Sequence, residues 1–170
     1  MEIFLNFWIL PILFILHDFE EMICMPLWKR RHRQILDKME KPFFGQVTNG
    51  QAFSVGVLEE MLILIVASII CSLSHNYTLY LAFLIAYTFH FVMHYKMCLS
   101  VKRYVPGVVS ATIQLPFMIW LITSYWTLSQ TSILELIMYL APVFFIVFIN
   151  LLMMHKIMPV IQEKLLAYAK

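Results

Sequence analysis

The sequence predicts an all-α membrane protein, a single domain (1–170) of five transmembrane helices with the N-terminus outside and the C-terminus cytoplasmic. Three observations carry that prediction. Hydrophobic residues make up 62% of the 170 and charged ones 13%, where a soluble domain carries about a quarter charged; mean hydropathy is +0.81. Apolar runs of about 20 residues, the length that crosses a bilayer core, recur five times. All 12 Lys and Arg residues lie outside the interiors of those runs.

The first run, 3–25, holds Pro11. Glu2 stands where a secretory signal would be basic, and an acidic string replaces a small-residue cleavage site, so this span is expected to stay. Runs 53–73 and 77–99 are joined by the uncharged turn Ser74-His75-Asn76. Runs 105–128 and 133–155 are joined by Ser129-Gln130-Thr131 and contain Pro116 and Pro142, which membrane helices accept as kinks. The one long loop, 26–52, carries Lys29, Arg30, Arg31, Arg33, Lys38 and Lys41. Lys96, Lys102 and Arg103 surround the third loop, and Lys156, Lys164 and Lys170 follow the last span. With five spans all three basic regions share one face, which the positive-inside rule makes cytoplasmic.

Within 26–52, Leu27, Trp28, Ile35, Leu36 and Met39 recur at near-helical spacing among basic residues. An interfacial helix on anionic headgroups is expected there, and the tail Ile157, Val160, Ile161, Leu165 and Tyr168 has a similar stripe. Cys24, Cys71 and Cys98 are odd in number and show no CxxC spacing, so neither a disulfide framework nor a zinc ribbon is expected. Repeats and low-complexity tracts are absent. Membrane lipids are the expected surroundings, nucleic acid is not an expected partner, and nothing indicates a homo-oligomer.

Charge inside the spans is the feature that bears on function. The first span contains His17-Asp18-Phe19-Glu20-Glu21, the second Glu59-Glu60 and the third His90 and His94. Each ionisable side chain at a bilayer centre costs roughly 2.5–3.5 kcal/mol on insertion scales. At 1.5 Å rise per residue, all of these groups fall roughly 6–14 Å from the cytoplasmic ends of their spans. Asn150 in span five and Thr112 and Gln114 in span four reach a similar level. His17, Glu20 and Glu21 share an arc of about 100°, and His90 and His94 form an i, i+4 pair on one face.

No Lys or Arg lies at that depth to neutralise the acids. Protonation, His⁺ partners or a bound cation would each satisfy them, and carboxylate with imidazole is a usual ligand set for divalent metals. His17, Glu21, Glu59, His90 and His94 are therefore candidate ligands for zinc or iron, in one or two ions. Glu20 and Glu60 are candidate catalytic carboxyls, and Glu59 and Glu60, 100° apart, leave open which one faces the site. Asp18, Thr112, Gln114 and Asn150 are candidate supporting groups around the ligands. A plain helix-to-helix hydrogen-bond network is the competing reading for each of them.

The H-x-x-E-E string of His17 to Glu21, with Glu59-Glu60, His90/His94 and five spans, resembles the bacterial HXXEE-motif membrane family across nearly the whole chain. That resemblance implies a multi-pass protein of a bacterial plasma membrane and strengthens the choice of site residues; it implies no reaction. The string also resembles the inverted zincin motif H-x-x-E-H, on which His17 and Glu21 would bind zinc and Glu20 would be the general base. CAAX-type intramembrane proteases follow their glutamate pair with an arginine four residues on, where this chain has Leu64. Membrane fatty-acid hydroxylases use more histidines than this chain supplies. The functional expectation is a metal-dependent membrane enzyme acting on a lipid-like substrate by hydrolytic or di-iron chemistry. The alternatives are a proton-coupled carrier relaying through the His/Glu layer, and a structural membrane partner.

Overall fold

The computed structural model describes residues 4–40 and 42–169. Glu2, Ile3, Lys41 and Lys170, used above for the start of the first span and the charge distribution, lie outside the described residues. Regular structure among the described residues is helical throughout: α1 (Ile9–Arg31), α2 (Arg33–Leu36), α3 (Gly50–Ser74), α4 (Tyr77–Val101), α5 (Val108–Ser129) and α6 (Ile133–Tyr168). Four of them, α3 to α6, are long and apolar enough to cross a membrane. α1, at 23 residues, has the length to span, but Asp18, Glu20 and Glu21 interrupt it.

Local chemistry fixes where these helices begin. Asn49 accepts from Ala52 N at 2.8 Å, Asn76 from Leu79 N at 2.8 Å and Ser132 from Glu135 N at 3.2 Å, each satisfying a backbone donor that the first turn leaves unpaired. Pro11 sits in the first turn of α1, where its missing N–H costs nothing. α3 and α4 are joined through His75 in the left-handed conformation (φ 51°), which closes the turn read from Ser74-His75-Asn76.

The five long helices pack as one bundle: α1 packs on α3 and α5, α3 on α6 and α4, α6 on α4, and α4 on α5. α1 and α4 are the most enclosed, with ten buried residues each, whereas α6 buries four along 36. Large apolar side chains point outward instead; Ile113 is 72% exposed and Phe145 68%. A soluble monomer would not tolerate such a surface, and acyl chains suit it. Polar ties then hold α1 to its neighbours. Tyr80 Oη accepts from Leu10 N at 3.2 Å, and Tyr87 Oη and Gln114 Nε2 both donate to Leu13 O, at 3.1 and 2.9 Å.

The long loop read over 26–52 departs from expectation. Leu27 and Trp28 belong to α1, which continues to Arg31, and among the described residues the only helix between α1 and α3 is the single turn α2. The expected interfacial helix is replaced by a loop folded under the bundle, because its apolar residues find partners there. Trp28, Leu36, Phe44 and Val47 are all buried. Trp28 Nε1 donates to Tyr104 O at 2.6 Å. Lys29 Nζ donates to the carbonyls of Gly45 (2.6 Å), Val47 (2.7 Å) and Phe44 (3.4 Å), so this ammonium's three protons are spent on the loop. The C-terminal stripe is no separate element: α6 runs unbroken through it, and Gln162 Oε1 accepts from Thr48 N at 2.7 Å and Asn49 N at 3.1 Å.

Candidate metal centre

α1 and α4 each present an i, i+4 pair to the same point. In α1 the pair is His17 and Glu21; in α4 it is His90 and His94. One donor atom from each of the four lies within 4.8 Å of all the others. Glu21 Oε1 is 2.8 Å from His94 Nε2, 3.5 Å from His17 Nε2 and 3.9 Å from His90 Nε2. His94 Nε2 is in turn 2.8 Å from His90 Nε2 and 3.3 Å from His17 Nε2. Metal–ligand bonds of 2.0–2.1 Å in a tetrahedron require donors about 3.3–3.4 Å apart. The observed separations straddle that edge.

Protons alone satisfy this arrangement poorly. Each neutral imidazole carries a single N–H, and His94 Nε2 faces two other ring nitrogens as well as a carboxylate oxygen. If it donates to one of them, its remaining neighbours meet it without a proton. Glu21 Oε1 is fully buried and accepts no well-aligned hydrogen bond, and His94 Nδ1 has no partner either. No Lys or Arg belongs to the cluster. A cation at the convergence point would meet all four donors at once. His17, Glu21 and His94 are buried, while the His90 side chain is 35% exposed, so the cluster opens on the His90 side.

Glu20 points elsewhere. Its Oε2 accepts from Ser110 N at 2.7 Å and Ser110 Oγ at 2.6 Å, and its Oε1 from Tyr104 Oη at 2.7 Å and Val109 N at 3.4 Å. Val109 and Ser110 lie in the first turn of α5, whose N-cap Gly107 has no side chain to offer. A carboxylate from α1 thus takes the capping role, where a helix favours negative charge. Ser110 Oγ also lies 2.9 Å from His17 Nδ1. The hydroxyl therefore links the α5 cap to the back of a candidate ligand, the kind of contact that fixes a metal-binding imidazole's orientation.

The remaining sequence candidates divide. Glu59 accepts from Asn150 Nδ2 at 2.9 Å, tying α3 to α6 away from the four-residue group. Glu60 and Asp18 also lie outside that group, yet both line a cavity of about 140 Å³ with Glu21, His90 and His94. Asp18 is buried. Gln114 holds α1 one turn above His17 and accepts from Tyr87 Oη at 2.8 Å. Thr112 is exposed and pairs with Tyr95 at 3.2 Å, outside the layer.

Several residues at the site carry no motif. Ser110 and Tyr104 act through contacts 84–93 positions away in sequence, which no local pattern announces. Gly107, at φ 89°, brings its backbone against the cluster: a Cβ built there would press on His94 Cε1 and lie 2.6 Å from Glu21 Oε1. The Pro106-Gly107 pair before an apolar run is a readable turn signal, though it does not reveal that proximity. His155 joins the rim of the 140 Å³ cavity, one turn beyond Asn150 on α6.

Comparison with known proteins places this geometry in a family. No curated protein and no solved structure matches the chain. A family model described as "protein of unknown function with HXXEE motif" matches residues 8–121, a stretch that contains all four convergent residues. By that match over more than half its length, the chain belongs to the HXXEE-motif family.

Proposed function

We propose that this chain is a five-span membrane protein that holds one divalent metal, zinc or iron, on His17, Glu21, His90 and His94, and uses it on an apolar substrate. The observation that carries the reading is the convergence of three imidazole Nε2 atoms on one buried, otherwise unsatisfied carboxylate oxygen. Three neutral imidazoles and one carboxylate leave a bound divalent ion with a net charge of +1, enough for Lewis-acid work. The same set is a 2-His-1-carboxylate arrangement with one further imidazole, which also suits non-haem iron.

α1 counts as the fifth span on this reading. Its three acids stop being an insertion penalty once Glu21 binds a cation and Glu20 caps α5. The basic residues then lie on one face, as the positive-inside rule requires of the cytoplasmic side, and the centre lies in the inner half of the bilayer. Glu60, on the open side with His90, is the carboxyl placed to move a proton to or from a substrate. Glu20 acts as a positioning residue through Ser110 and His17. X-ray absorption at the metal edge tests the ligand set. Three imidazole nitrogens and one oxygen at about 2.0–2.1 Å would support it, and a sulfur shell or a fully aquated ion would reject it.

A further inference from the structure

Two cavities meet beside the metal centre. The larger, about 140 Å³, carries the acids, His90, His94, and four methionines, Met93, Met97, Met154 and Met158. The smaller, about 80 Å³, is walled mainly by Ile63, Leu64, Phe83, Ala86 and Val147. Glu60 and His90 line both, so the apolar pocket and the polar pocket touch at the one ligand that is half open. Ile63, Val147 and Leu151 are themselves only half-buried, and the smaller pocket reaches the outer face of the bundle between α3 and α6. Both of these helices are candidate spans, so an acyl chain is what that opening would meet.

Charge narrows what can enter. Asp18, Glu21 and Glu60 line the polar pocket, and neither cavity has a Lys or Arg in its wall. No basic side chain is there to pair with an anionic headgroup, whereas an alcohol or ester oxygen can pair with Glu60 or His90. Methionine thioethers are unbranched and deformable, suited to chains of varied shape. Resting on the proposed metal reading, we infer that the substrate is a neutral long-chain amphiphile. Its apolar chain lies in the Ala86 pocket and its uncharged oxygen function lies at Glu60 and His90.

The test uses full-length protein in phosphatidylcholine nanodiscs with a trace of a diazirine-bearing long-chain alcohol, or of its sulfate ester as the anionic counterpart. After photolysis, adducts are mapped and metal content is measured on the same samples. The alcohol should label Ile63, Leu64, Ala86 and Val147 about tenfold more than the sulfate does. Ala86→Trp should abolish that labelling and leave metal content unchanged. Should Ala86→Trp fail to fold, Val147→Trp at its half-exposed position plugs the same pocket from α6. Equal labelling by the sulfate, labelling spread over the outward residues Leu62, Val66 and Phe145, or persistence in a folded plugged variant would overturn the inference. A metal-free chain that is still labelled selectively at the pocket would defeat the metal reading alone.

Discussion

Gly107→Ala tests the closest approach of backbone to the cluster. The residue sits at φ 89°, where an L side chain is strained, and its new Cβ would lie 2.6 Å from Glu21 Oε1 and 2.7 Å from His94 Nδ1. Leaving the left-handed region uncompensated costs about 1–2 kcal/mol, and overpacking a filled site about 1–3 kcal/mol. Neither neighbour can yield freely, since both belong to the convergent set. The expected loss is about 2–5 kcal/mol of stability, with metal affinity at least about tenfold weaker. Gly56→Ala is the matched control. Its Cβ would meet Met158 Sδ at 2.8 Å, the far end of a flexible side chain, and the exchange recovers up to about 1 kcal/mol of helix propensity. Thermal melts in detergent and zinc titration against a competing chelator read both quantities. A Gly107→Ala protein that melts and binds zinc like wild type would refute the packing described here.

Three further substitutions probe the supports. Glu20→Gln removes the charge that caps α5 and should lower stability by about 1–2 kcal/mol while metal content stays near wild type; loss of the metal would show that His17 depends on this charge through Ser110. Lys29→Met strips the donors from the carbonyls of Phe44, Gly45 and Val47, and amide exchange across 42–49 should quicken without change in α4. Unaltered exchange would show that the loop is held by its aromatic contacts alone. Gln114→Leu removes a donor from Leu13 O, and Tyr87→Phe removes one proton shared between Leu13 O and Gln114 Oε1, each at about 1 kcal/mol. Because they share the Leu13 acceptor, their double-mutant cycle should be non-additive; simple additivity would contradict the shared contact.

The polar layer was legible because helices repeat. His17/Glu21 and His90/His94 are i, i+4 pairs, and equal depth from a common face is enough to bring two such pairs together. Periodicity does not say which way a neighbouring arc turns. Glu20 lies on the same side of α1 as Glu21, yet the unpaired N–H groups of α5 claim it, and their position depends on a turn at Gly107 far along the chain. Glu59 and Glu60 could not be separated from sequence for the same reason: Asn150 on α6 decides. Charge has a second use in the loop: Lys29, read as a topology signal, is buried and donates to three carbonyls. Of the apolar stripe around it, Trp28 and Leu36 pack inward while Leu27 and Ile35 stay exposed, a division that spacing alone cannot display.

Elemental analysis of protein extracted in mild detergent, without chelators or a nickel column, tests the central claim most directly. The account predicts about one equivalent of zinc or iron per wild-type chain, and less than about a tenth of that in folded Glu21→Gln and His94→Ala. A folded wild-type protein that carries no metal, and takes up neither zinc nor ferrous iron on titration, would contradict it.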